Sequence, residues 1–301
     1  MRRNFWIIGS QERTNPLQIS HQQKGHMKTL ANTVAVILIC ALVSFAEQGS
    51  NNLKYCKFTT SDDVSGWMMN YYNSPQPENI SLALETLASE KTLTINPGAQ
   101  APSAGFLSSI FQNNPQHIEA WLKQCEPYSG ELKRTVWLGL WLSDTDFSRQ
   151  YLSQKIPSAI GADLAYLKLL TQNKPFNLRE LKPNDPGQLD MLWGAFMASG
   201  DTQYVKRIIS VLPLLDQRRN PHEFTMAGSA KWSLKSNGLV HPLVLQTCKE
   251  ELSSASGSMS VNLLEIVSEL EGTSPKIDDG EKSVRILKTE FSKQVMDKYK
   301  K

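Results

Sequence analysis

Hydrophobic positions recur at helical spacing along most of the chain from Pro77 onward. Residues 78–90, for example, place Ile80, Leu84 and Leu87 on one stripe. Apolar residues three and four positions apart line one face of an α-helix, whereas a half-buried strand alternates at every second residue. Almost no segment of this chain shows that alternation. The pattern therefore predicts an all-α fold.

Proline, asparagine, glycine and aspartate separate the predicted helices. Gly200 ends one helix and Asp201 caps the next, which predicts a tight helical hairpin, and Asp144 is predicted to cap a further short helix. Glu223 stands where it could complete a capping box at the start of another helix. Three dipeptides place an N-cap residue directly before a proline at the first helical position: Asn114-Pro115, Asp185-Pro186 and Asn220-Pro221.

The predicted hairpins follow one another at spacings of roughly 35 to 45 residues. This succession predicts a multi-helix array of helical hairpins, either α-solenoid-like or compact. Residues 130–142 are apolar on nearly all sides, so we expect this helix to be central and covered by its neighbours. Neither a tetratricopeptide signature nor a leucine-rich repeat pattern occurs.

Residues 27–46 have the three parts of a secretory signal peptide. Lys28 supplies the positive charge, residues 30–43 the apolar segment, and residues 44–46 (SFA) the small residues of a cleavage site. The sequence therefore predicts cleavage after Ala46 and a periplasmic or secreted protein. An uncleaved anchor is the alternative, but the apolar run is short for a span of roughly 20 residues. We expect no integral membrane span in the mature chain.

The polar residues 1–26 precede this signal and resemble no ordinary signal-peptide start. We interpret them as a mis-called N-terminal extension, with Met27 as the true initiator. The alternative is a long cytoplasmic extension of a membrane-anchored protein. Mass spectrometry of the mature N-terminus would distinguish the two.

The formal charge of +3 is concentrated near the N-terminus. Five of the 32 basic residues but one of the 29 acidic residues precede Glu47, which leaves 27 against 28 and a net charge of −1. Phosphate binding requires a clustered basic surplus, so we expect no nucleic-acid partner.

The mature chain is predicted to have a helical domain over residues 47–271, followed by a linker and an amphipathic C-terminal helix over residues 272–301. Val284, Leu287, Phe291 and Val295 form the apolar stripe of that helix, and its polar face is basic. The helix either packs back on the body or binds a partner or a membrane surface.

Motifs that carry catalysis or bind a cofactor are not apparent. The chain lacks a nucleophile elbow, a Walker loop and a dinucleotide fingerprint. His117, His222 and His241 do not lie at metal-ligand spacing from one another, so we expect neither a metal nor a cofactor. Cys56, Cys125 and Cys248 permit at most one intramolecular disulfide, and Cys125 is predicted to be a buried free thiol.

The content of tryptophan is the one unusual feature in the composition of the mature chain. Core packing explains most of these residues, since each lies in or near an apolar helical face. The run that contains Trp67, Tyr71 and Tyr72 precedes the first well-patterned helix, and it is our candidate for partner-binding aromatic residues. The six tryptophans are Trp67, Trp121, Trp137, Trp141, Trp193 and Trp232.

Three motifs combine tryptophan with glycine or serine: residues 137–143 (WLGLWLS), 192–201 (LWGAFMASGD) and 231–237 (KWSLKSN). Together they resemble a family of exported, predominantly helical bacterial proteins with no assigned activity. The likeness covers about residues 67–270 and implies a helical, exported protein, but it implies no activity.

These observations favour an exported, non-enzymatic helical protein that binds a protein or peptide partner. The alternative is an exported hydrolase that acts on cell-envelope glycan or peptide through carboxylates that sequence cannot identify. A third hypothesis is an envelope accessory factor that is anchored through the basic terminal helix.

Overall fold

The computed structural model describes residues 58–272. These residues contain no strand, so the all-α prediction is confirmed for them. Four predicted features lie outside the described residues: the N-terminal extension (residues 1–26), the signal peptide (residues 27–46), Cys56 and the C-terminal helix. Within residues 58–272 there are thirteen α-helices: α1 (Ser61–Asn70), α2 (Ile80–Ser89), α3 (Thr92–Ile95), α4 (Gln100–Asn113), α5 (Ile118–Cys125), α6 (Gly130–Ser143), α7 (Asp146–Lys155), α8 (Gly161–Gln172), α9 (Pro186–Ser199), α10 (Thr202–Ile209), α11 (Pro221–Gly238), α12 (Pro242–Ser254) and α13 (Gly257–Leu270).

Side-chain caps begin the helices that follow the main connections. The Asp185 carboxylate accepts a hydrogen bond of 3.1 Å from Gln188 N at the start of α9. The Asn220 side chain accepts one of 3.4 Å from Glu223 N at the start of α11. Asp201 caps α10 in the same way. These predicted helix starts are confirmed.

Two predicted N-cap residues, Asn114 and Asp144, make no side-chain cap, although a helical segment does begin at Pro115. The Asn114 side chain instead donates to Ile110 O at 2.9 Å, at the end of α4, and the 3-10 turn Pro115–His117 leads into α5. Asp144 has a left-handed backbone (φ 49°) that ends α6. Thr145 caps α7 in its place by accepting from Ser148 N at 3.1 Å. In both cases the preceding helix uses the residue for its own termination.

The core is a row of three helices in the order α9, α4 and α6. α4 packs most extensively against α9 on one side and against α6 on the other. Gly105 of α4 makes the approach to α9 close, because a Cβ at this position would lie 2.0 Å from Met191 O. Four helices separate α4 from α9 along the chain, so their pairing departs from the neighbour-only contacts of an α-solenoid.

The remaining helices form two groups on either side of this row. α7 and α8 pack against α6, which is the helix predicted to be central, while α5 packs against α2. α10 packs against α9 as the predicted hairpin, and α11, α12 and α13 contact one another beyond it. Over residues 58–272, no helix combines the length and apolar character that crossing a membrane requires.

Candidate functional site

The predicted partner-binding aromatic residues pack against the body of the domain. The ring of Tyr71 is buried and makes edge-on contacts with Trp67, at 5.2 Å between ring centroids, and with Phe106 of α4, at 5.3 Å. Burial and then the charge of Glu78 raise the pKa of Tyr71 to about 12. Such edge-to-face pairs stabilise a core beyond the area that they bury.

Tyr72 faces a different set of side chains. Its hydroxyl shares a 3.1 Å hydrogen bond with Nδ1 of the buried His241, and its ring lies 5.2 Å from that of Phe196. Burial lowers the pKa of His241 to about 4, so the imidazole is neutral at neutral pH. Tyr72 therefore connects the end of α1 with α9 and with the start of α12.

These contacts give all three aromatic residues a packing role. Trp67 and Tyr72 keep part of their surface exposed, and Trp67 also borders an apolar cavity of about 20 Å³ with Phe106. A cavity of that size holds about one water molecule, not a peptide side chain. The partner-binding role of these residues stays a prediction.

A larger cavity, of about 210 Å³, lies among helices α5 to α8, and we name it the α5–α8 cleft. Leu122 and Cys125 of α5 with Val136 and Trp137 of α6 form its apolar floor. Ile160, which is 83% exposed, stands at its edge in the connection before α8. The cleft thus combines a buried apolar floor with an exposed apolar side chain.

Lys133 supplies one charged side of the cleft. Its ammonium lies 5.1 Å from the centroid of the Trp137 ring and 2.6 Å from an Asp163 carboxylate oxygen, and Arg134 Nε donates to the other oxygen at 3.1 Å. Burial acts to raise the pKa of Asp163, but Lys133 and Arg134 outweigh it and lower that pKa below its ordinary value of 3.8. Asp163 is therefore a carboxylate at neutral pH.

Lys155 supplies the other charged side in the same manner. Its ammonium lies 4.8 Å from the Tyr151 ring centroid and 3.0 Å from a Glu126 carboxylate oxygen. Burial acts to lower the pKa of Lys155, but Glu126 and Tyr151 outweigh it and raise that pKa. Each ammonium therefore lies over an aromatic ring, which favours a fixed orientation.

Cys125 gives the floor a thiol but not a reactive one. The side chain is buried, and burial raises the pKa of the thiol to about 12. The nucleophilic form of cysteine is the thiolate, which is a negligible fraction at neutral pH when the pKa is so high. The prediction that Cys125 is buried and free is confirmed, and Cys248 is buried and free as well.

One strongly perturbed carboxyl group lies away from the cleft. Asp190 of α9 is buried, and its Oδ1 has no hydrogen-bond partner among the described residues. Burial and then the charge of Asp185 raise the pKa of Asp190 to about 8. Asp190 does not line the α5–α8 cleft. The cleft itself has an apolar floor and two ammonium groups, each paired with a carboxylate, and this combination is suited to binding.

Sequence reasoning did not single out the cleft, although a signal for it exists. Lys133 precedes Trp137 by four positions, and Lys155 follows Tyr151 by four. Side chains four residues apart are neighbours on a helix, so each helix carries one lysine beside one aromatic ring. What brings the two pairs to one cleft is the packing of α7 and α8 on α6.

Comparisons with known proteins add no relative: no family model, no curated protein and no solved structure matches the chain. The resemblance drawn from the three tryptophan motifs accordingly stays a prediction. Over residues 58–272, no three His, Cys, Asp or Glu side chains are grouped so that they could hold a metal ion.

Proposed function

We propose that this protein is an exported, non-enzymatic helical protein that binds a protein or peptide partner in the α5–α8 cleft. The observation that carries the proposal is the pairing of an apolar floor with two oriented ammonium groups, Lys133 and Lys155. Export rests on the signal peptide predicted over residues 27–46.

The size of the cleft favours one anchor side chain of a peptide. Its volume of about 210 Å³ is below the roughly 300 to 1,000 Å³ of pockets that enclose small molecules. An apolar anchor would cover Leu122 and Val136 on the floor. Each ammonium has three donor hydrogens, so Lys133 and Lys155 could each donate to a carbonyl or carboxylate of the same peptide.

Ile160 supports the same conclusion from the edge of the cleft. A large apolar side chain that is 83% exposed contributes about 1.5 to 3 kcal/mol when a partner covers it fully. Because Ile160 adjoins the cleft, one partner could fill the floor and cover this side chain together. A few buried anchors of this kind supply most of the affinity of typical interfaces.

The hydrolase alternative draws less support from the same geometry. Hydrolysis of a glycoside requires two carboxyl groups that face each other across a cleft, one of them with a raised pKa. Asp163 is in the cleft with a lowered pKa, whereas Asp190 has the raised pKa and is not a lining residue. The alternative stays a prediction.

A displayed library of random peptides, selected on the purified protein, tests the proposal. The variant Ser158→Trp places an indole in the cleft, since Ser158 is exposed and lines it. Ser153→Trp is the matched control, because Ser153 is an exposed residue of the preceding helix that does not line the cleft. We expect enriched peptides to share an apolar anchor.

Ser158→Trp should weaken their binding by about tenfold or more, which corresponds to about 1.4 kcal/mol, and Ser153→Trp should leave it unchanged. Peptides that bind both variants equally, or a selection without enrichment, would overturn the proposal. Release of a cleaved peptide during the selection would instead favour the hydrolase.

A further inference from the structure

An apolar surface lies exposed where α11 passes into α12. Trp232, Leu239, Val240 and Leu243 are between 36 and 62% exposed, and we name them the α11–α12 patch. Trp232 lies on α11, and Leu239 follows the last residue of that helix with its backbone still helical. The two are seven positions apart, so their side chains lie on one side, while Leu243 is the second residue of α12. Single exposed apolar side chains are ordinary, but a group of them marks an interaction surface.

The described chain ends beside this patch. α13 runs in the same direction as α11, because the Lys235 ammonium lies 2.7 Å from a Glu269 carboxylate oxygen and the last residue, Leu270, packs on Gly238. A Cβ placed on Gly238 would lie 2.4 Å from Leu270 Cδ1. The chain therefore leaves α13 next to Leu239, the first residue after α11.

The sequence that follows supplies a matching segment. Residues 273–283 are polar and rich in turn-forming residues, and the next residues carry the predicted stripe of Val284, Leu287, Phe291 and Val295. We propose that this C-terminal segment docks its apolar stripe on the α11–α12 patch. The basic residues of the segment then face solvent. The patch is separate from the α5–α8 cleft, so the inference does not rest on the proposed function.

The connecting segment is long enough for this docking. Its eleven residues, 273–283, can span up to about 36 to 40 Å when extended. α11 has 18 residues and a length of about 27 Å, so the whole patch is within reach of the exit beside Gly238.

Tethering also favours this segment over a second molecule. A short covalent connection gives the two groups that it joins an effective concentration in the millimolar range. A second copy of the chain or another protein would have to reach a comparable concentration to displace the segment. Because the segment and the patch belong to one chain, the docking does not depend on the total protein concentration.

Hydrogen exchange followed by mass spectrometry on the full chain tests the docking. We expect slow exchange for the amides of residues 284–295 in the wild-type protein. Trp232→Asp and Leu239→Asp each place a charge in the patch at an exposed position, and each should speed this exchange by about tenfold. Ile95→Asp is the matched control, because Ile95 is 76% exposed but lies outside the patch, and it should leave the exchange unchanged.

Several results would overturn the inference. Fast exchange of residues 284–295 in the wild-type chain would do so, as would slow exchange that both patch variants retain. Protection that increases with protein concentration would show a second copy on the patch. Protection that appears only with vesicles of anionic lipid would show that a membrane surface takes the apolar stripe instead.

Discussion

Gly194 of α9 lies with its Cα against the backbone carbonyl oxygen of Pro102 in α4. A Cβ placed on Gly194 would lie 1.9 Å from that oxygen and 2.8 Å from Phe106 N. Gly105 makes the reciprocal contact from α4 with the carbonyl of Met191. Both obstacles are backbone atoms, which cannot move away as a flexible side chain could. The two glycines therefore determine how closely the central helices approach.

Gly194→Ala should destabilise the protein by about 1 to 3 kcal/mol. Alanine is the better helix former by about 1 kcal/mol, but the added methyl group forces α9 away from α4 and so loosens the core. Urea unfolding, followed by far-UV circular dichroism, measures the change.

Gly228→Ala is the matched control on α11. No other group lies within 4 Å of a Cβ at this position, so only the helix propensity changes. This variant should be stabilised by about 0.5 to 1 kcal/mol. If the free energy of unfolding changes in the same direction in both variants, the close approach of α4 and α9 does not depend on a glycine at position 194.

Ser233→Ala should cost about 1 to 3 kcal/mol. The indole nitrogen of the fully buried Trp193 donates to Ser233 Oγ at 3.0 Å, and no water can replace the acceptor without entering the core. A buried donor that is left without a partner destabilises the folded state by its full desolvation penalty. Thermal and urea unfolding would both report the loss.

Ser229→Ala on the same helix provides the comparison. Its hydroxyl donates to Thr225 O at 3.1 Å and is partly exposed, so water can replace the bond. We expect a change within about 0.5 kcal/mol. Equal effects of the two serine variants would contradict a specific role for the bond between Trp193 and Ser233.

Asp190 makes the protein less stable as the pH rises through neutrality. Its pKa is about 8 in the folded state and 3.8 without burial, so between these values the folded chain holds a proton that the unfolded chain has released. Its contribution is complete below pH 3.8 and is lost by about pH 8. The contribution of Asp190 to the free energy of unfolding therefore falls with pH over this range.

His241 has the opposite effect over a lower range. Its pKa falls from 6.5 to about 4 on folding, so its contribution is complete above pH 6.5 and is lost as the pH falls towards 4. The two slopes oppose each other between about pH 4 and 6.5. Of these two slopes, only that of Asp190 remains above pH 6.5.

Asp190→Asn should abolish a fall in the free energy of unfolding of about 2 kcal/mol between pH 6.5 and 8. Urea unfolding at a series of pH values measures it. Asp163→Asn is the control, because the pKa of Asp163 is lowered and its contribution changes only below pH 3.8. A variant at position 190 that keeps the wild-type profile would show that another group titrates there.

Local signals predicted many of the helix boundaries but not every cap. Asp185 and Asn220 each precede a proline with nothing before them that competes for the side chain, and both act as caps. Asn114 and Asp144 each follow the last residue of a helix directly, and both act as the C-cap of that preceding helix instead. The spacing between a cap residue and the next proline or apolar residue does not show whether the preceding helix competes for that residue.

The candidate site depended on tertiary packing to a greater extent. The pairs of Lys133 with Trp137 and of Tyr151 with Lys155 are visible at spacing four, yet each lies on a different helix. Their meeting depends on how α7 and α8 pack on α6. The raised pKa of Asp190 had no sequence signal, because an aspartate in a helix is ordinarily exposed.

The sequence by itself determined the all-α class, the order of the main helices and the apolar faces they bury, since these follow from hydrogen bonds and side-chain periodicity within short segments. Tertiary structure decided that α4 pairs with α9, that the aromatic run at Tyr71 turns inward, and that a cleft opens among α5 to α8. These features join residues far apart in the chain, and they depend on shape complementarity between helices, which no local pattern encodes.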